Sequence, residues 1–444
     1  MQTPAHGLDP ATIRGLTQRR LSRRGFLRTA AIGAGAAALP SLLSACGPSS
    51  SASAAHGSPD WDQWWQQQEV TGLMSFANWP YYIDRMQGNV HPSLDLFTAQ
   101  TDIVVNYSRP VRGNASFLEK IRPALEAGRP TGYDLIVMTN GPSMSTLIDS
   151  QWLTPLDHSQ LPTFAEHASD LVLDPPWDPG NRYSVAWQSG LTGIAYRPEA
   201  VEALGREPKS VADLWDPALT GRVGMFRDEM DLGSFGLMKI GVDPQRSSIY
   251  EWAEAADALR VQRDTGIVKG YFDQEYLQAL QRGDIWITQA WSGDIFQANQ
   301  LGHPELRFVT PDEGAMLWTD NMMIPLHAAN PADAMTYMDF VYQPEVAAMI
   351  AAWVWYITPV PATQSIIRDK YGDEAVANSP LVFPDASSLS SSSSTDEGTS
   401  SAIDTSEGGG SQMLRRYYVF QGAEELAIWR RFFDPIVGAP VDES

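Results

Sequence analysis

The sequence of 444 residues contains one cysteine, Cys46, so no internal disulfide can staple it. Its seven histidines, at 6, 56, 91, 158, 167, 303 and 327, are scattered and never take the short spacing of a zinc-binding helix. Metal-assisted hydrolysis has no ligands to stand on, and neither a metal nor a cofactor is expected. There is no G-x-S-x-G elbow, no G-x-x-x-x-G-K phosphate loop and no G-x-G-x-x-G turn. Positive charge is also scarce: 31 basic residues face 53 acidic ones, a formal net charge of −22. Six arginines, at 14, 19, 20, 23, 24 and 28, lie within residues 1–45 beside a single acid, Asp9, which leaves 25 basic against 52 acidic residues in the remainder. Such a surface repels phosphate backbones and attracts cations, so nucleic-acid binding is excluded, although an acid surplus taken alone would also serve solubility.

No apolar run near the N-terminus is long enough to span a bilayer. The Ala/Gly-rich stretch at 29–43 is short and mild, and it follows Ser22-Arg23-Arg24-Gly25-Phe26-Leu27-Arg28, which resembles the twin-arginine export motif. It ends in Leu43-Ser44-Ala45-Cys46-Gly47, which resembles a bacterial lipobox. The resemblance implies that 1–45 is a signal peptide and that Cys46 is lipidated, anchoring the chain to a membrane face without a spanning helix. Residues 46–69 then read as the lipidated cysteine and a flexible linker, rich in Ser, Ala, Gly and Pro at its start.

Beyond the linker, periods alternate. Strands are predicted at 73–77, 103–107 and 134–138, with helices at 93–101, 115–127 and 144–150, the rhythm of parallel βαβ units. A Pro/Asp-rich passage at 174–181 and the run at 183–187 mark the approach to a second lobe. There, strands are predicted at 193–196, 223–226 and 285–290, with an extended return at 316–325. Helices are expected at 210–215, 232–240, 252–262, 274–282, 331–342, 344–353 and, with aromatic residues, 414–433. Residues 386–412 are almost wholly Ser, Gly, Thr and acids, a composition that predicts a disordered insertion.

Predicted strands keep ending beside rings and acids. Phe76-Ala77-Asn78-Trp79-Pro80-Tyr81-Tyr82 closes the first; Asp228 and Asp231 follow 223–226; Trp291 and Asp294 follow 285–290. Trp318 and Asp320 stand two apart in an extended run and so share a face. Asp228 with an acid three residues later also has the form of a helix cap, and capping is a sufficient explanation for it. Carboxylates beside Trp and Tyr faces suit ammonium groups, because each N–H finds a charged acceptor while the rings cover methylenes at ~0.5–2 kcal/mol per cation–π contact. Carbohydrate stacks on the same residues. A carboxylate-dependent glycoside hydrolase therefore stays open, as does a ferric-iron receptor built on the pairs Tyr81-Tyr82 and Tyr417-Tyr418.

The ordered series Asn78-Trp79-x-x-Tyr82, Tyr133-Asp134-Leu135-Ile136-Val137, Ala212-Asp213-Leu214-Trp215, the acids at 228–231, Trp291-Ser292-Gly293-Asp294, Trp318-Thr319-Asp320, Tyr356-x-Thr358-Pro359 and Phe420-Gln421 resembles the spermidine/putrescine-binding proteins of ABC transporters. The resemblance implies an α/β, two-lobed periplasmic-binding-protein (type II) fold, each lobe a mixed sheet flanked by helices, with the ligand cleft at the hinge. It implies lobes at 70–187 with 321–365 and at 188–320 with 366–444. It further implies a monomeric binding protein, not an enzyme, that captures spermidine or putrescine and delivers it to permease subunits. Trp79, Tyr82, Trp291, Trp318 and Tyr356 would form an aromatic box. Thr139 and Gln421 would bond amines, Asp320 would hold one deep in the cleft, and Asp228, Asp231 and Asp294 would take the remaining nitrogens. Pro80 and Gly141 depart from the family pattern, Gly141 standing where an aromatic wall is common.

Overall fold

The computed structural model describes residues 59–438, apart from 87, 89, 380, 384–401 and 405–410. Cys46 and the export motif lie outside the described residues, as does most of the insertion expected at 386–412. The chain divides into two units at Gln67/Gln68. The described part of the first is a single short helix, Trp61–Trp65, whose N-cap Asp60 accepts from Gln63 N. Among the described residues no helix is long and apolar enough to cross a membrane.

The second unit is built on one mixed sheet. Its strands are β1 (Leu73–Ala77), β2 (Val104–Ser108), β3 (Leu135–Thr139), β4 (Ser184–Tyr196), β5 (Val223–Phe226), β6 (Val268–Phe272), β7 (Ile287–Trp291), β8 (Arg307–Val309), β9 (Ala315–Met323), β10 (Ala402–Asp404) and β11 (Ser411–Arg416). The main path runs β2-β1-β3-β9-β4-β7-β5-β6. β1 pairs in parallel with β2 and β3, and β5 in parallel with β6 and β7. Two βαβαβ blocks with the same internal order thus flank an antiparallel pair, β9 and β4. Helices Pro92–Thr101 and Asn114–Glu126 serve the first block; Glu229–Lys239, Ile249–Asp264 and Tyr276–Arg282 serve the second.

The central pair sets the geometry of the cleft. On β4, Gln188 pairs with Asp320, which pairs in turn with Thr139 at the end of β3; four residues on, Thr192 pairs with Trp291 at the end of β7. At ~3.3 Å per residue the two blocks' strand ends stand about 13 Å apart along a floor made by β4 and β9. Ligands bind beyond the carboxyl ends of strands in open α/β sheets, and here two sets of such ends are brought to one floor. A β-bulge between Ala186 and Gln188 bends β4 where the floor begins.

The predicted strands and helices recur in chain order, with corrections. The pieces expected at 183–187 and 193–196 are one buried strand of 13 residues, β4, whose Gly, Ser and Gln content masked its periodicity. The helix expected at 232–240 starts at Glu229, because Asp228 caps it and satisfies its first turn. The sequence reading contains neither the strands β6, β8 and β10 nor the helices Trp61–Trp65, Pro162–His167, Pro198–Leu204, Ser292–Gln300, Thr363–Ile366 and Glu374–Ala377. The helix expected over 414–433 is instead strand β11, pairing in parallel with β9, followed by the helix Ala423–Gly438. Residues Ala402–Asp404, inside the 386–412 segment expected to be disordered, pair antiparallel with Ser411–Met413 at its end.

Candidate functional site

A cleft of about 400 Å³ opens above the floor, and ten of the eleven candidate residues line it: Trp79, Tyr82, Thr139, Asp228, Asp231, Trp291, Asp294, Trp318, Asp320 and Tyr356. All but Tyr356 arrive from a strand end, from the start of the helix that follows one, or from the floor; Tyr356 comes from the loop after the helix Pro344–Val354. After β1, Asn78 turns the chain by folding its side chain back on the loop: its Oδ1 accepts from Trp79 N at 2.8 Å and its Nδ2 donates to Tyr82 O at 3.3 Å. The turn places Tyr81 at a left-handed φ of 56°, with 57 % of its surface exposed, so Tyr81 contributes no buried wall while Trp79 and Tyr82 turn inward. Trp187, at the bulge, donates from Nε1 to the same Tyr82 carbonyl at 3.2 Å.

Two of the three ring contacts are edge to face, the arrangement their quadrupoles favour, and the third is tilted. Trp79 of the first block faces Trp291 of the second at 6.2 Å between centroids; Tyr82 faces Tyr356 at 5.1 Å; Trp318 lies 5.3 Å from Tyr356. Gly190, mid-floor on β4 and paired with Trp318, is what lets these rings settle, since a Cβ there would collide with the Trp318 ring and lie 2.8 Å from Tyr356. Gly141 is required for another reason: its φ of 145° and ψ of −160° are open to glycine alone. The wall its missing ring would leave open is approached instead by Met230, 3.3 Å from where a Cβ would stand.

The four carboxylates are held by neutral donors. Asp228 accepts from Met230 N at 3.0 Å and Asp231 N at 3.2 Å, so it is a helix cap and a cleft residue at once. Asp231 accepts from Tyr417 Oη at 2.6 Å and Trp291 Nε1 at 3.4 Å. Asp294 takes one phenol on each oxygen, Tyr276 at 2.9 Å and Tyr356 at 2.8 Å. Asp320 accepts from Thr139 Oγ1 at 2.6 Å. Among the described residues, no Lys, Arg or His forms an ion pair with any of the four.

Burial dominates their titration. It pushes Asp320 up to about 7 against the opposing bonds from Thr139 and Tyr82, with the charge of Asp228 adding to the rise. Burial also raises Asp231, with Asp228 next in effect, and it raises Asp228 and Asp294 in spite of their hydrogen bonds. The phenols of Tyr82, Tyr356, Tyr276 and Tyr417 are driven well above the usual tyrosine range, first by burial and then by these acids, so they remain donors at neutral pH. The arrangement is a set of desolvated acceptors around an apolar, ring-lined volume; a mobile cation is what such a set lacks.

Gln421, the eleventh candidate, is a correction. It is exposed, outside the cleft, with its backbone N bonded to Glu425 Oε2 and its Nε2 to Val419 O, because the chain has by then left the sheet for the turn before the last helix. Tyr417, four residues earlier, occupies the cleft instead, although its sequence context suggests only a tyrosine pair suited to iron. One tyrosine of each pair, Tyr82 and Tyr417, reaches the cleft, but the four phenols do not cluster: Tyr418 bonds Glu425 and Tyr81 is largely exposed. Among the described residues no group of His, Cys, Asp and Glu could hold a metal ion.

The family model described as bacterial extracellular solute-binding protein matches residues 93–384. The spermidine/putrescine-binding periplasmic protein of Escherichia coli K12 is 28 % identical over 320 residues, covering 71 % of this chain and 84 % of that one. The spermidine/putrescine-binding periplasmic protein 1 of Haemophilus influenzae is 29 % identical over 327 residues, 73 % of this chain and 86 % of its own length. A solved spermidine/putrescine ABC transporter substrate-binding protein from Streptococcus pneumoniae superposes with a TM-score of 0.62 at 23 % identity, over 82 % of this chain and 98 % of that one. Fold, topology and family model agree on a type II periplasmic-binding-protein architecture, and the chain belongs to the bacterial extracellular solute-binding proteins.

Proposed function

We propose that the protein captures a polyamine, spermidine or putrescine, outside the cytoplasmic membrane and passes it to the permease of an ABC transporter. The observation that carries this reading is a set of four cleft carboxylates, Asp231 and Asp320 buried and Asp228 and Asp294 half-buried, none of them in an ion pair among the described residues, arranged around five aromatic rings. Ionised and partly or wholly withdrawn from water, they cost free energy unless a cation enters, and an alkyl chain with an ammonium at each end meets both the acids and the rings. Relatives that bear the names of spermidine- and putrescine-binding proteins support the choice of polyamine over other cations. Four carboxylates favour a ligand with three or more charges, so spermidine is preferred to putrescine.

Capture works through hinge closure of the lobes at 70–187 with 321–365 and 188–320 with 366–444, β4 and β9 being the strands that run between them. Twin-arginine export and a lipid on Cys46 would hold the receptor beside its permease. Calorimetric titration of the full chain with spermidine, putrescine and a neutral oligosaccharide tests the reading. Micromolar or tighter binding of spermidine is expected; binding of the oligosaccharide alone overturns the function, and putrescine binding more tightly than spermidine overturns the preference.

A further inference from the structure

We infer that Tyr417 is a positioning residue that sets the cleft's selectivity for longer polyamines, by fixing Asp231 as the second terminal acceptor. The inference rests on the polyamine reading above and deepens it.

The topology explains why Tyr417 reaches the site. β3 and β11 flank the same edge of β9 end to end: β3 pairs with Asp320–Met323 and runs antiparallel, whereas β11 pairs with Ala315–Leu317 and runs parallel. Both strands therefore finish at the short gap between Leu317 and Asp320, one from each side. Asn140 fills the gap at Thr319 through two bonds, its N donating to Thr319 O at 2.9 Å and its Oδ1 accepting from Thr319 N at 2.8 Å. Tyr417, the first residue beyond β11, is 5 % exposed and sends its hydroxyl over the floor to Asp231.

With a phenol at 2.6 Å on Oδ1 and the Trp291 indole at 3.4 Å on Oδ2, the Asp231 carboxylate has a fixed plane, and its remaining acceptor capacity is presented in one direction. Trp291 pairs with Thr192 at one end of the floor, and Asp320 pairs with Gln188 at the other. Between them the Trp318 and Tyr356 rings lie on Gly190. The floor thus reads charge, rings, charge over about 13 Å of strand. An extended chain advances ~1.2 Å per bond, so the five bonds of putrescine reach roughly 6 Å and the nine of spermidine roughly 11 Å. A triamine can use both ends; a diamine engages one. Fixing Asp231 therefore benefits the longer ligand most, provided that the diamine settles at the Asp320 end, where Thr139 orients the acceptor.

Calorimetry of the full chain with spermidine and with putrescine, on the wild type, Tyr417→Phe and Asp231→Asn, tests the assignment, with thermal unfolding as the check on folding. The ratio of the putrescine Kd to the spermidine Kd is expected to fall at least fivefold in both variants. Equal weakening for the two amines, or no weakening, overturns the role of Tyr417. If Tyr417→Phe does not fold, Asp231→Asn, which keeps the phenol, decides on the same ratio. A wild type that binds neither amine overturns the polyamine reading and this inference with it.

Discussion

Lowering the pH should weaken polyamine binding by an amount that the burial of Asp320 sets. Its carboxyl is pushed up to about 7, whereas the ligand's amines, at ~10, remain charged throughout. An ammonium binds the ionised form, so every molecule protonated at Asp320 must release a proton first. With a carboxyl at about 7, roughly three-quarters is ionised at pH 7.5 and roughly 3 % at pH 5.5. The spermidine Kd should therefore rise about 25-fold between those values, close to 1.9 kcal/mol, from this group alone. Asp231 and Asp228, also raised, can only steepen the fall. Titrations at pH 6.5 in phosphate and in a buffer of large ionisation enthalpy should report release of at least ~0.7 proton per ligand bound. A Kd that stays constant from pH 5.5 to 7.5, or proton uptake on binding, would refute the assignment of Asp320 as a cation acceptor.

The same shift has a stability consequence. The folded carboxyl of Asp320 lies above its unfolded value, so its contribution is favourable below about 4 and is lost as pH rises through about 7. Asp320→Asn should thus raise the melting temperature of the ligand-free protein at pH 7.5 relative to wild type while losing most spermidine affinity; a lowered melting temperature with affinity retained would mean that the carboxylate is structural. Asp228 separates its two duties by substitution. Asp228→Ser keeps a capping oxygen and should hold stability within ~0.5 kcal/mol while weakening spermidine, whereas Asp228→Ala should also cost ~1 kcal/mol in denaturant melts. Gln421→Ala should leave both amines' Kd within twofold by calorimetry, because Gln421 stands outside the cleft.

How far the sequence discloses the site follows from how local each signal is. A strand that ends in a ring or an acid is local, and β1, β5 and β7 bring Trp79, Asp228 and Trp291 to the cleft as their positions imply. The spacing of Trp318 and Asp320 is local too, and β9 presents both on one face. β4 is legible only in pairing: its Gly190 and Gly193 read as breaks, yet each sits where a neighbouring ring leaves no room for a Cβ. Capping suffices to explain Asp228 in the sequence, and its carboxyl caps the helix while facing the cleft. Gln421 failed because its assignment depended on register carried across a long low-complexity segment. Tyr417 enters the cleft only because β11 docks on β9, and no periodicity in 411–416 announces that partner.

The carboxylates also bear on why capture and closure should be one event. Trp79 meets Trp291, and Met230 approaches Gly141, each contact joining one block to the other. In this arrangement Asp231 and Asp320 are buried, Asp228 and Asp294 half-buried, and the four are supported by phenols, an indole, a hydroxyl and backbone N–H groups. Such donors soften the cost of desolvating a charge without cancelling it, which is why all four carboxyls are raised. Without a ligand at neutral pH, closing the lobes must either bury those charges or take up protons; with a polyamine present, the ligand supplies the counter-charge. The free energy that drives closure is then the difference in ligand affinity between closed and open states, as any ligand-induced shift requires. A neutral molecule of the same shape could fill the ring-lined volume, yet it would leave the carboxylates uncompensated and the lobes apart. Under the polyamine reading, selectivity for cations would be a property of the closed state, the acids that create it opposing closure of an empty cleft.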